Sequence, residues 1–228
     1  MDKPKIVLFD IDYTLFDVAR FRKKIFKSII GFVGKNKIDK IDKILEDIYH
    51  TSRERVGYFN MVSFLEDVSR KFKINVALTN ILKDEIFSDN LYEETKEVLE
   101  SIAKDPSIKI GIFSGGESGF QLKKIEQVEN FFNKDHVHII KYKHLNVQRI
   151  IKKYKDFQVY LVDDVLDILN NAKKIDKSVI TIWIKRGRFA QQLKKISGFK
   201  PDATVDNLKE IVSIIHNSRQ RRGSPEAA

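Results

Sequence analysis

The feature that most constrains this 228-residue chain is a short apolar run near its beginning that ends in two carboxylates. Residues 6–9 are all apolar, and Asp10, Asp12 and Thr14 follow them at alternate positions. Four apolar residues bounded by charge predict a short strand that is buried in a parallel sheet. In an open α/β sheet the carboxyl ends of the strands border the ligand crevice, so we expect Asp10 and Asp12 to project into a site. Two carboxylates this close repel each other unless a cation or a proton compensates them, and a metal ion is therefore expected.

The rest of the chain divides into a helical region and a region of alternating elements. Between residues 18 and 104 apolar side chains recur at helical spacing, as in Phe21, Ile25 and Ile29, which predicts four or five helices and no strand. From residue 107 onward, strands are predicted at 108–113, 136–140, 157–162 and 178–184, and helices at 117–128, 145–154, 165–174 and 207–216. Such alternation is typical of a parallel sheet with helices on both faces. The expected fold is α/β, a Rossmann-like parallel sheet flanked by helices, with an inserted all-helical segment.

Composition narrows the classes of function. The chain contains no cysteine, which excludes disulfides, zinc-thiolate sites and thiol catalysis. We expect no signal peptide and no membrane span, and hence a cytoplasmic protein. The net charge of +10 reflects 42 basic against 32 acidic residues, and we attribute it to lysines spread over solvated helix faces rather than to nucleic-acid binding. The polar tail, 217–228, carries a small arginine cluster and is expected to be disordered.

A second acidic group follows the strand predicted at 157–162. Asp163 and Asp164 come directly after this apolar segment, and Asp167 lies four residues beyond Asp163. On a helix this spacing places Asp163 and Asp167 about one turn apart on the same side. One carboxylate could then bind a cation while the other holds the water around it. Asp164 is either an alternative ligand or the cap of the following helix.

Two further segments carry polar groups at predicted strand ends. Ser114 follows the strand at 108–113 and precedes Gly115 and Gly116, whose backbone N–H groups allow close approach of an oxyanion. Lys141 and Lys143 both follow the strand at 136–140. We prefer Lys143 because it directly abuts the predicted helix start, while Lys141 stays an alternative.

Taken in order, these four segments resemble the motifs of the haloacid dehalogenase-like (HAD) superfamily. Asp10, Asp12 and Thr14 match its DxDxT motif, and Ser114 matches the hydroxyl of its second motif. The lysine and the acidic segment match its third and fourth motifs, although His144 replaces the usual proline after the lysine and Val162 the usual glycine before the aspartate. Helical residues after the first strand resemble the C1-type cap of subfamily I.

This resemblance implies a Mg²⁺-dependent phosphatase acting on a small phosphorylated substrate. Asp10 would be the nucleophile that forms an aspartyl-phosphate, and Asp12 the general acid and base. Asp10, the backbone carbonyl of Asp12 and Asp163 would bind Mg²⁺, with Asp167 in or just outside the coordination shell. Two groups, Ser114 and Lys143, would bind the transferring phosphoryl oxygens. The hydroxyl of Thr14 would stiffen the loop through a hydrogen bond.

The same resemblance implies a division into domains. Residues 1–16 and 91–216 would form the core, and 17–90 a cap that closes over the site and selects the leaving group. Aromatic residues of the cap either line its roof or simply pack its interior, namely Phe21, Tyr49, Tyr58, Phe59 and Phe64. A phosphomutase on the same core is the alternative enzyme, and an inactive basic nucleic-acid-binding protein is a more distant one. The substrate and the oligomeric state stay open.

Overall fold

A parallel sheet of six strands organises the structure, a computed structural model that describes residues 3–34, 40–56, 58–187 and 196–217. The strands are β1 (Lys5–Phe9), β2 (Ile108–Gly115), β3 (Val137–Ile140), β4 (Gln158–Asp163), β5 (Ile180–Ile184) and β6 (Ala203–Val205). Their order in space is β3-β2-β1-β4-β5-β6, and every neighbouring pair is parallel. The predicted fold class is therefore confirmed.

The first strand owes its central place to its sequence. All four residues from Ile6 to Phe9 are fully buried, because β1 pairs with β2 on one side and with β4 on the other. Val7 and Phe9 pack into one hydrophobic cluster, whereas Ile6 and Leu8 pack into the cluster on the opposite face of the sheet. A strand covered on both faces needs apolar residues at every position, which explains the uninterrupted run.

Helices cover both faces of the sheet and build the insert. Four of them lie between β1 and the return to the core: α1 (Val18–Val33), α2 (Ile41–Val56), α3 (Met61–Phe72) and the short α4 (Asp84–Phe87). The others follow or connect the core strands: α5 (Thr95–Ala103), α6 (Ser118–Ile125), α7 (Lys143–Lys153), α8 (Leu166–Ile175) and α9 (Lys209–Asn217). None of the helices in the described part of the chain combines the length and apolar character that a bilayer crossing requires.

The chain leaves and re-enters the core at neighbouring points. The backbone N–H of Asp17 donates to the carbonyl of Asn90 at 2.7 Å, and that of Tyr92 donates to the carbonyl of Leu15 at 3.0 Å. The assignment of 17–90 to a separate cap stays a prediction, and these paired crossings support it.

Sequence reasoning missed one strand and displaced several boundaries. β6 has only three residues and pairs with β5 alone, so it offers too short a pattern to be distinguished from a loop. The helix expected at 117–128 is α-helical only as α6 and then continues as a 3₁₀ helix, Glu126–Phe131. Of the tail expected to be disordered, Asn217 ends α9, and residues 218–228 lie outside the described residues.

Candidate active site

The carboxyl ends of β1, β2 and β4 bring three of the predicted site residues together. Phe9 pairs with Ile112 on one side and with Val162 on the other, so the residues that follow emerge at the same edge of the sheet. The backbone N–H of Asp10 also donates to the carbonyl of Val162 at 3.0 Å. Parallel pairing thus places Asp10 between Ser114 and Asp163.

Three aspartates form a buried cluster at this edge. Asp10, Asp163 and Asp164 each offer a carboxylate oxygen, and these atoms lie within 4.8 Å of one another. Their residues are 6%, 0% and 3% exposed, respectively, so water does little to screen the repulsion between the three carboxylates. Such a group requires either a compensating cation or retained protons.

Lys143 supplies one positive charge to the cluster. Its Nζ lies 2.7 Å from Asp10 Oδ1 and 2.5 Å from Asp163 Oδ2. The alternative, Lys141, lies elsewhere, with its Nζ 2.9 Å from a carboxylate oxygen of Glu117. The geometry therefore favours Lys143 as the lysine of the site.

The balance of charge shifts the pKa values of these groups. Burial raises the pKa of Asp10 to about 6, with Lys143 opposing the rise and Asp163 adding to it. Burial also raises the pKa of Asp164 well above its usual range, again reinforced by Asp163. For Lys143, burial would lower the pKa, but the attraction of Asp10 and Asp163 outweighs it and raises the value. One ammonium group thus does not neutralise three carboxylates.

Two buried oxygen atoms of the site lack a hydrogen-bond partner among the described residues. They are the hydroxyl oxygen of Ser114 and Oδ2 of Asp164. Buried polar atoms normally have a partner, so unpaired atoms at this position are consistent with a bound ligand. Hard oxygen donors of this kind suit Mg²⁺, and the donor set of the cluster fits that ion.

Two predicted residues lie apart from the buried carboxylates, and the role of Asp167 in or just outside the coordination shell stays a prediction. Asp167 lies in the first turn of α8, is exposed and stands outside the carboxylate cluster, where Asp164 joins Asp10 and Asp163 instead. Asp164 directly follows the last residue of β4, whereas Asp167 lies within α8, which begins at Leu166. The hydroxyl of Thr14, expected to brace the loop, is buried without a hydrogen-bond partner in the described part of the chain.

The loop that carries Thr14 is held by a hydrogen bond to its backbone instead. Arg186 donates from Nη1 to the carbonyl of Thr14 at 3.0 Å and forms an ion pair with Glu94. Its guanidinium also stacks over the ring of Tyr92, 3.8 Å from the ring centre. Arg186 lies 172 residues beyond Thr14, so no local sequence pattern could have revealed this contact.

Sequence reasoning also missed the partners of Asp12. The Nζ of Lys124 lies 2.5 Å from Asp12 Oδ1, and Gln121 donates from Nε2 to Asp12 Oδ2 at 3.2 Å. Both partners are buried and lie three residues apart on α6, hence on one face of that helix. The spacing of Gln121 and Lys124, three residues apart on the helix that follows β2, is the sequence signal that could have identified them as partners of Asp12.

One aromatic residue of the insert contacts the core beside the site. The hydroxyl of Tyr58 donates to Glu117 Oε1 at 2.8 Å, and its ring packs edge-on against that of Tyr142, with the centroids 5.8 Å apart. Lys141, paired with the same Glu117, lies over the Tyr58 ring. These contacts join the insert to the core in the present arrangement.

Comparison with known proteins agrees with this geometry. The sequence model of the haloacid dehalogenase-like hydrolases matches residues 4–167. A comparison with curated proteins finds no match. Among solved structures, a Burkholderia xenovorans protein assigned to the haloacid dehalogenase-like hydrolases has a TM-score of 0.73 at 22% identity, covering 92% of this chain and 98% of its own.

Two further solved structures share the fold. A Bacillus subtilis protein assigned to the HAD hydrolases and bound to magnesium has a TM-score of 0.64 at 11% identity, covering 94% of this chain and 99% of its own. A HAD phosphatase from Thermococcus onnurineus has a TM-score of 0.61 at 18% identity, covering 92% and 97%. Since the family model spans well over half of the chain, and the fold is that of these structures, the protein belongs to the haloacid dehalogenase-like hydrolases.

Proposed function

We propose that this hydrolase is a Mg²⁺-dependent phosphatase that cleaves a small phosphorylated metabolite through an aspartyl-phosphate on Asp10. The observation that carries the proposal is the buried group of Asp10, Asp163 and Asp164. Lys143 pairs with the first two carboxylates, and the nearby hydroxyl of Ser114 has no hydrogen-bond partner among the described residues. A phosphoryl group is rich in oxygen atoms that hydroxyl and ammonium donors can bind. The site thus combines a nucleophile, a cation site and donors for the transferring group.

In the first step, an oxygen of Asp10 attacks phosphorus while the bond from phosphorus to the leaving oxygen breaks. Asp12, whose side chain is about one-third exposed, gives a proton to the departing oxygen, which leaves as the alcohol. In the second step, Asp12 takes a proton from water while the water oxygen attacks phosphorus. The bond from phosphorus to the Asp10 oxygen breaks, and inorganic phosphate is released. Asp10 then regains its carboxylate form.

The other residues of the site position and stabilise the transferring group. Asp10, Asp163 and Asp164 would hold Mg²⁺, together with the backbone carbonyl of Asp12 that the family resemblance implies. When bound, this ion offsets the repulsion between a carboxylate nucleophile and an anionic phosphate. The ammonium of Lys143 and the hydroxyl of Ser114 would contact the phosphoryl oxygens, where fixed donors stabilise the transition state.

The direct test is release of inorganic phosphate from p-nitrophenyl phosphate and from a panel of phosphorylated metabolites, with Mg²⁺ and with EDTA. We expect turnover that requires Mg²⁺ and falls at least about 10³-fold in Asp10→Asn, since removal of a covalent nucleophile abolishes the route through the intermediate. Asp42→Asn, a change at an exposed aspartate of α2, is the matched control and should keep full activity.

Other outcomes would contradict the proposal. An isomeric phosphate ester formed without free phosphate would instead support the phosphomutase. Salt-dependent binding of nucleic acid that survives Asp10→Asn, in a protein without turnover, would support an inactive binding protein.

A further inference from the structure

Gln121 lies beside Asp12, the proposed general acid and base, and is almost completely buried. It belongs to α6 and is 3% exposed. Its side-chain nitrogen Nε2 donates to Oδ2 of Asp12 at 3.2 Å and to the backbone carbonyl of Gly115 at 2.6 Å. One amide group therefore links the Asp12 carboxylate to the end of β2, one residue beyond Ser114.

The chemistry of the two partners fixes the orientation of this amide. A backbone carbonyl and an ionised carboxylate only accept hydrogen bonds, so the NH₂ group of Gln121 must face them, with one N–H for each. The amide oxygen Oε1 is buried and has no partner among the described residues. Within the described part of the chain, the amide is thus held through its nitrogen, by Asp12 and Gly115.

The glycine that follows Gly115 makes room for the amide. Gly116 has φ +130°, and a Cβ there would lie 3.0 Å from Gln121 Nε2, closer than ordinary van der Waals contact. Any other residue would be strained at this φ and would press against the amide. The N–H of Gly116 donates to the carbonyl of Ile140 at 3.3 Å. In this structure Gly116 therefore allows Gln121 to approach the strand end.

Lys124 holds the other oxygen of Asp12 from the same face of α6. Its Nζ lies 2.5 Å from Asp12 Oδ1, and it stands over the rings of Phe16 and Phe120 at 5.4 and 4.7 Å. With one donor on each oxygen, the carboxylate cannot rotate without breaking a hydrogen bond. The two donors therefore fix the direction in which Asp12 can deliver a proton.

We propose that Gln121 is a positioning residue that holds Asp12 in the orientation needed to protonate the leaving oxygen. This inference rests on the phosphatase activity proposed above. The proton passes from Asp12 to that oxygen as the bond from the oxygen to phosphorus breaks. A general acid contributes about 10²–10⁴-fold, and only when its proton is aimed at the acceptor. Loss of the Gln121 amide therefore slows the first step most for leaving groups that are too basic to depart without a proton.

The test compares benzyl phosphate with p-nitrophenyl phosphate, in Mg²⁺, for the unmodified protein and for Gln121→Met. Both esters carry an aromatic ring, but the benzyl alkoxide is a strong base that needs a proton, whereas p-nitrophenolate leaves without one. Since kcat/KM covers the reaction up to release of the alcohol, it reports the step in which Asp12 acts as an acid. We expect Gln121→Met to lower kcat/KM by about 30-fold or more for benzyl phosphate, but by less than about threefold for p-nitrophenyl phosphate.

Two further variants complete the test. Gln148→Met is the matched control, because Gln148 is exposed on α7, and it should leave both constants unchanged. Gln121→Asn keeps an amide that is one methylene too short to reach both acceptors, and it should show the same selective loss if the methionine variant does not fold. Partial unfolding lowers both constants in the same proportion, so their ratio measures the orientation of Asp12 and not the stability of the protein.

The remaining outcomes separate the two proposals. Equal losses for the two esters would show that Gln121 only supports the fold, and an unchanged kcat/KM for benzyl phosphate would show that Asp12 is oriented without it. Either result overturns the inference and leaves the phosphatase standing. An unmodified protein that hydrolyses p-nitrophenyl phosphate but not benzyl phosphate would show that Asp12 delivers no proton to the leaving oxygen, which also overturns the inference. Failure to hydrolyse both esters and every metabolite of the panel, with Mg²⁺ present, overturns both proposals.

Discussion

Asp10→Asn should stabilise the metal-free fold while it abolishes turnover. The pKa of Asp10 rises from 3.8 to about 6, chiefly because the carboxylate is buried. One pKa unit corresponds to about 1.4 kcal/mol, so keeping this carboxylate ionised at pH 8 costs the folded state roughly 3 kcal/mol. Asparagine removes that charge and is close in shape. The rise of this pKa already includes the opposing attraction of Lys143, so we expect a net gain of up to about 3 kcal/mol at pH 8.

The gain should depend on pH in a defined direction. A carboxyl group whose pKa is raised by folding binds more protons in the folded state, so the stability of the unmodified protein falls as pH rises from about 4 to about 6. The asparagine variant lacks this loss. Its advantage is therefore expected to be absent at pH 4, and to be complete at pH 7 and above.

The measurement is urea unfolding of both proteins, in EDTA and in 5 to 10 mM Mg²⁺ (roughly a saturating range for a site of millimolar affinity or tighter). Mg²⁺ should stabilise the unmodified protein more than the variant, because the variant has lost a carboxylate ligand. The reasoning would be refuted by a variant less stable than the parent in EDTA at pH 8, or by a difference that does not change between pH 4 and pH 8.

Three further substitutions test other contacts of the described structure. Lys124→Met frees the Asp12 carboxylate from its 2.5 Å ion pair, and steady-state kinetics should show kcat lowered by about tenfold or more; an unchanged kcat would contradict a positioning role. Burial lowers the pKa of His138 to about 4. When the pH falls from 7 to 5, the His138 imidazole therefore takes up a proton in the unfolded chain but not in the folded protein, and the folded state loses stability. Thermal unfolding should then show that His138→Gln loses roughly 1 to 2 kcal/mol less than the parent over this range, and equal losses would argue against the buried neutral imidazole. Gly187 has φ +65°, and a Cβ there would lie 2.6 Å from the ring of Tyr13. Gly187→Ala should therefore lower the free energy of unfolding, measured in urea, by about 1–3 kcal/mol, and an unchanged free energy would contradict this expectation.

Local sequence patterns predicted the position of a residue correctly where that position depends only on one strand and on the residues that directly follow it. The apolar run before Asp10 predicted a strand covered on both faces, and parallel pairing makes the residues after β2 and β4 emerge at the same edge. Ser114 and Asp163 therefore fell beside Asp10 as parallel pairing requires. The choice between Lys141 and Lys143 needed coordinates, since both follow β3 closely and only the packing of α7 decides which one faces the carboxylates.

The order of strand-end motifs and the change from helical to alternating periodicity were enough, by themselves, to determine the fold class and the family of this protein. Tertiary structure decided which aspartate completes the buried cluster, which lysine compensates it and what surrounds Asp12. Asp164 rather than Asp167, and the pairing of Lys124 with Asp12, depend on where α8 begins and on how α6 packs against the β1 loop. Periodicity reports burial along one element, whereas a functional site is a set of distances between elements, and only the packed chain determines those distances.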